Sequence, residues 1–89
     1  MPLPVPTLGR VVHYRLDESD VARIRALPTT QVNPVQAGQL CPAVIVRTWG
    51  DQPDSLVNLQ VLLDGQAQLW VTSRGTGAED GTWSWPPRG

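Results

Sequence analysis

Apolar and polar positions alternate most cleanly between Leu56 and Leu63, where Val57, Leu59, Val61 and Leu63 share one face and Asn58 and Gln60 the other. A period of two predicts a strand with one buried side. Asp64-Gly65 marks a turn, and Ala67, Leu69 and Val71 begin a second alternation, so the segment predicts a β-hairpin. Matching faces decides the length of its loop. A two-residue loop sets Val61 against Gln68 and Leu59 against Trp70, mixing polar and apolar sides. A three-residue loop, 64 to 66, pairs Leu63 with Ala67, Val61 with Leu69 and Leu59 with Val71, and makes one face wholly apolar. The same register turns Asn58 and Thr72 outward as a pair, with Gln60 opposite Trp70 and Leu56 opposite Arg74.

Upstream, Val11 to Leu16 predicts another strand, with Val12, Tyr14 and Leu16 on one face and Val11, His13 and Arg15 on the other. Asp17-Glu18-Ser19-Asp20 follows, with N-cap candidates at Asp17 and Ser19. Val21, Ile24 and Leu27 then recur every third residue and predict a short helix over 18–27 that stops at Pro28. Acidic residues at its start and Arg23 and Arg25 towards its end suit the helix dipole, which accounts for these charges structurally. Residues 28–42, with Pro28, Asn33-Pro34, Gly38 and Pro42, predict a loop. Ala43 to Val46 is short and β-branched and reads as a buried central strand ending near Trp49. A turn-rich link covers 50–55, a glycine-rich loop 75–81, and Thr82 to Trp85 forms a last strand with both tryptophans on one face. The sum is a mainly β fold: a small SH3-like barrel or β-roll of about five strands with one short inserted helix. A Pro-rich N-terminal arm, 1–8, precedes a single small β domain, 9–89.

Composition narrows what such a fold can do. With 89 residues, the chain fits one domain whose own core is marginal. Cys41 and His13 are the sole cysteine and histidine, so neither an internal disulfide nor a Cys/His metal site is open to it. Association into a homo-oligomer is the remaining route to stability. Net charge is −1, which argues against general nucleic-acid binding and against a charged membrane surface. No basic leader or long apolar run occurs, so the expected location is the cytoplasm. All seven cations are arginine and they are scattered along the chain.

Catalytic chemistry finds little support. His13 is the only natural base, and it sits on a strand beside Arg15 with no nucleophile motif anywhere. Gly75-Thr76-Gly77 lacks the lysine and following helix of a phosphate loop. The expectation is therefore a non-enzymatic protein without metal or cofactor. Four tryptophans in so short a chain carry more weight. Trp70 stands out, because its register places it among amides and a hydroxyl. Aromatic stacking beside arginine and amide donors holds nucleobases and phosphates, and the same residues make protein interface hot spots.

Val46-Arg47-Thr48-Trp49-Gly50-Asp51-Gln52-Pro53, Val57-Asn58-Leu59-Gln60-Val61, Leu63-Asp64-Gly65, Leu69-Trp70-Val71-Thr72-Ser73 and Gly81-Thr82-Trp83-Ser84-Trp85-Pro86 together resemble a group of small, uncharacterised proteins of actinobacterial phages and prophages. The resemblance implies an accessory protein made in a bacterial host cell. By analogy with other small β-rich phage proteins, the first expectation is a homo-oligomer that sequesters a nucleotide-derived immune signal of the cyclic nucleotide or ADP-ribose type. Trp70 and Trp85 would stack on the base. Arg74, Arg47 and Arg15 would meet phosphates, and Asn58, Gln60 and Thr72 would hydrogen-bond ribose or base edges. The alternative is a protein–protein interaction module, a virion accessory or an inhibitor of a host protein, using the same tryptophan-rich surface.

Overall fold

A computed structural model describes residues 4–28 and 31–87. Its strands are β1 (Val11–Arg15), β2 (Leu40–Thr48), β3 (Val57–Leu62), β4 (Gln68–Arg74) and β5 (Trp83–Ser84), with helix α1 (Glu18–Arg25) between β1 and β2. All pair antiparallel in one sheet of order β4-β3-β2-β1-β5. The sheet curls because Gly75–Gly77, the continuation of β4, reaches β5. The Trp83 amide donates to the Gly75 carbonyl at 3.0 Å, and the Gly77 amide donates to the Trp83 carbonyl at 3.1 Å. This is the small, mainly β roll that the alternation predicts, with the helix inserted after the first strand.

The hairpin register is as expected: Val61 faces Leu69, Leu59 faces Val71 and Gln60 faces Trp70. One apolar face results and packs inward. Val12, Tyr14, Ile45, Leu59, Val61 and Trp83 are fully enclosed there, and Val21 and Ile24 of the helix close the core from one side. The helix starts at Asp17, whose side chain accepts from the Asp20 amide while the Asp20 carboxylate accepts from the Asp17 amide, a reciprocal capping box.

Three expectations are corrected. First, the helix ends at Arg25 rather than 27, with Leu27 in a turn that still packs against the core. Second, 28–42 is not wholly loop, since β2 begins at Leu40 and runs through Pro42. A proline fits this strand because Pro42 pairs with His13 of β1, whereas pairing with β3 starts only at Ala43. At Pro42 the strand is in effect an edge, where a missing amide costs no ladder bond. Third, Arg74 lies opposite Val57, not Leu56. A bulge between Val57 and Leu59, with Ser73 at φ 57°, inserts a residue into β4 and reverses the facing of everything after it.

Residues 31–33 fold back onto the hairpin turn. The Gln66 amide donates to the Gln31 carbonyl at 2.8 Å, the Asn33 amide to the Asp64 carbonyl at 2.9 Å, and the Asn33 side-chain amide to the Asp64 carboxylate at 2.8 Å. Gly65 meets the backbone of Gln31 and Val32 so closely that any Cβ would collide with it. The N-terminal arm also docks. Gly9 and Arg10 exchange hydrogen bonds with Ile45 of β2, and Pro6 is fully buried. The arm's residues 1–3 lie outside the described residues.

Candidate functional site

The outer face of the sheet carries most of the residues singled out from sequence. Strand pairings align Val11, Val44, Gln60 and Trp70 in one row across four strands. Trp70 is 47% exposed, and Val11, Leu40 and Val46 are exposed on the same face. Half-buried Val44 and Leu62 lie among them. An outward apolar face on a two-sided sheet is unusual, because open antiparallel faces normally alternate to polar. His13 and Arg15 stand together at one end of it, on β1.

At the other end a polar cluster is already organised. The Asn58 side-chain oxygen accepts from Trp49 Nε1 at 3.0 Å, from the Thr72 hydroxyl at 2.9 Å and from the Ser73 amide at 2.8 Å. Asn58 is only 7% exposed, so this acceptor is spent on holding the bulge and on fixing Trp49. The Arg47 guanidinium stacks 4.2 Å from the centre of the Trp49 ring. Sequence reasoning placed Asn58 and Thr72 together and missed Trp49. The Val46-Arg47 bulge in β2, which brings Trp49 over Asn58, leaves no mark on the alternation.

Three of the expected ligand residues lie elsewhere. Arg74 turns inward, where its guanidinium is 3.6 Å from the Asp20 carboxylate and 5.8 Å from the centre of the Tyr14 ring. Asp20 is fully buried and accepts from the Tyr14 hydroxyl at 2.6 Å. Burial, then the hydrogen bond to Asp20, push the Tyr14 phenol well above its ordinary value of 10.0. Burial also works to raise the Asp17 carboxyl, but hydrogen bonds from the Asp20 amide and the Ser19 hydroxyl outweigh it and hold the group below 3.8. Arg15 donates to the Gly38 carbonyl at 2.8 Å. Trp85 packs edge-on against Trp83, ring centres 5.5 Å apart, with Arg10 over its face at 4.9 Å. The structure therefore gathers Trp70, Gln60, Asn58, Thr72 and Arg47 on the β2–β4 part of the outer face and separates them from Arg74, Arg15 and Trp85.

Trp85 borders a cleft of about 220 Å³ whose walls include Pro4, Pro53, Asp54, Gly77 and Trp83. That is below the roughly 300–1,000 Å³ of sites that enclose a drug-sized ligand, so it suits one or two side chains rather than a nucleotide. Among the described residues, no three His, Cys, Asp or Glu side chains gather where they would hold a metal ion, and no helix is long and apolar enough to cross a membrane. Comparison with protein-family models, with curated proteins and with solved structures finds no match to the chain. Residues and geometry carry the functional argument alone.

Proposed function

We propose that the protein is a non-enzymatic interaction module that associates with a second copy of itself through the outer face of its sheet. The observation that supports this reading is the row Val11, Val44, Gln60 and Trp70 with Val46 and Leu62 beside it, a surface rich in apolar groups with a central aromatic. Interface centres are depleted of charge and enriched in tryptophan, and truncating one such anchor commonly removes most of the affinity. Between Arg15 at one end and Arg47 at the other, the facing β1–β4 positions carry no acidic or basic group other than His13. Two copies thus meet without like-charge repulsion. A small core gains stability from the same contact.

A second reading keeps the face and changes the occupant. The half-exposed Trp70 ring, with Gln60 beside it and the Arg47–Trp49 stack on the adjoining row, offers a platform on which the base of a nucleotide-derived signal could lie. In the phage setting implied by the sequence resemblance, sequestering such a signal would blunt a host defence. Native mass spectrometry of the protein purified gently from a bacterial host tests both readings. Self-association predicts an oligomer that Trp70→Ser converts to monomer. A nucleotide-sized adduct lost in the same variant transfers the assignment to the second reading. A wild-type monomer without adduct at tens of micromolar sinks both.

A further inference from the structure

Strand β4 ends the sheet, and the direction of its backbone groups follows from its neighbours. Ile45 of β2 spends its amide on the Arg10 carbonyl and its carbonyl on the Gly9 amide, both on the side of β1. In an antiparallel ladder the two groups of one residue point the same way, and successive residues alternate. Val44 therefore turns towards Gln60 of β3, and Gln60 turns back towards β2. Trp70, opposite Gln60, is left facing away from β3 with both its amide and its carbonyl. The Trp70 carbonyl accepts from Arg23 of the helix at 2.9 Å, in agreement with that direction. Alternation points the backbone groups of Gln68 and Thr72 outward as well. Among the described residues, no strand pairs with this side of residues 68–72.

We infer that this edge pairs with the same edge of a second copy, antiparallel about a two-fold axis at Trp70. The order of residues indicates the occupant. Gln68-Leu69-Trp70-Val71-Thr72 has the same chemistry read from either end: polar, aliphatic, tryptophan, aliphatic, polar. Paired with itself, it sets Gln68 against Thr72, Leu69 against Val71 and Trp70 against Trp70. Polar then meets polar on the outer face, the two indoles stand side by side, and the buried Leu69 and Val71 of each copy continue one dry side. Residues 68, 70 and 72 of one copy exchange amide and carbonyl with 72, 70 and 68 of the other, as in strand addition at a sheet edge. None of the five residues is charged or a proline, the usual devices that keep such edges apart. Arg23 is the guard instead: an exposed side chain that holds the carbonyl which the partner's Trp70 amide takes. The bulge before Arg74, with Ser73 at positive φ, ends the pairing segment. This contact goes beyond the outer-face association proposed above. It uses backbone groups that the face contact does not, and it stands whatever covers that face.

Amide hydrogen exchange of the full ¹⁵N-labelled chain, read by NMR over a dilution series, tests the pairing. At roughly ten times the dissociation constant, the Gln68, Trp70 and Thr72 amides exchange about fivefold slower than in dilute monomer. The Leu69 and Val71 amides, turned towards β3, are protected at every concentration. Arg23→Ala frees the Trp70 carbonyl and tightens association about fivefold. Gln68→Pro removes an outward amide and no bond to β3, so the fold stands and association weakens about tenfold. An outer-face contact alone predicts no change of the dissociation constant in either variant. The inference is overturned when the three amides exchange at one rate from micromolar to millimolar chain, in both the native protein and Arg23→Ala. Association left unchanged by Gln68→Pro overturns it as well. Where native mass spectrometry still shows an oligomer in those cases, the outer-face reading stands and the edge pairing alone falls.

Discussion

Trp83 and Trp70 are the same residue type on strands of one sheet, yet they do opposite work. Trp83 is fully enclosed, its indole N–H is paired with the Arg74 carbonyl, and its backbone closes the sheet on itself. Trp70 is nearly half exposed, and its carbonyl accepts from Arg23 of the helix at 2.9 Å, which covers part of an edge strand. The inner face is held by volume and by satisfied polar groups. The outer face stays apolar without being filled. A surface that keeps such groups in water gains its stabilisation only when something covers it.

The largest expected effect comes from emptying the inside. Trp83→Ala should cost about 3–5 kcal/mol through the cavity it leaves and the lost hydrogen bond from the indole N–H to the Arg74 carbonyl, and a domain of this size would not stay folded. Thermal unfolding followed by circular dichroism reads the result, and a cooperative transition near the native temperature would show that the roll does not depend on this side chain.

Asp20→Ala should follow at about 2–4 kcal/mol, since it removes the capping box, leaves the Tyr14 hydroxyl unpaired and strands a partly buried Arg74. The same network predicts an alkaline limb. The folded state favours the neutral Tyr14 phenol, so its contribution is complete below the ordinary value of 10.0 and is lost as pH rises towards the higher folded value. Tyr14→Phe should flatten the fall in stability above about pH 10. Asp17 behaves in the reverse sense. Its folded value lies below 3.8, so its contribution is present at neutral pH and is lost as pH falls through that lower value.

Asn58→Ala should cost about 1–3 kcal/mol, because three donors lose their shared acceptor. Denaturant midpoints measure this, and a cost near zero would mean that water replaces the asparagine oxygen. Trp70→Ser is the smallest for the single chain, within about 0.5 kcal/mol, as expected of an exposed position. Its effect should instead appear in the assembly. If Trp70→Ser destabilises a dilute, monomeric sample as much as Asn58→Ala does, the contrast between the two faces fails.

Much of this architecture was legible in the order of residues, and the reason is periodicity. Strict alternation from Val57 to Val71 admits a single register with one dry face, so the hairpin, its register and the Gln60–Trp70 pair follow from pattern alone. Asp17 as N-cap and the inward set Val12, Tyr14 and Leu16 follow for the same local reasons. Arg74 did not, because the Ser73 bulge inserts one residue and reverses facing, and no propensity marks a serine at positive φ. Nor does pattern place Trp49 over Asn58 or Pro4 beside Trp85, since these meet only when distant segments close the roll. Alternation thus determined which side of each strand faces inward, while the bulges and the closure decided which outward residues stand together. The physical reason is that side-chain direction is a local property of the backbone, whereas a site is a meeting of segments whose separation along the chain carries no period.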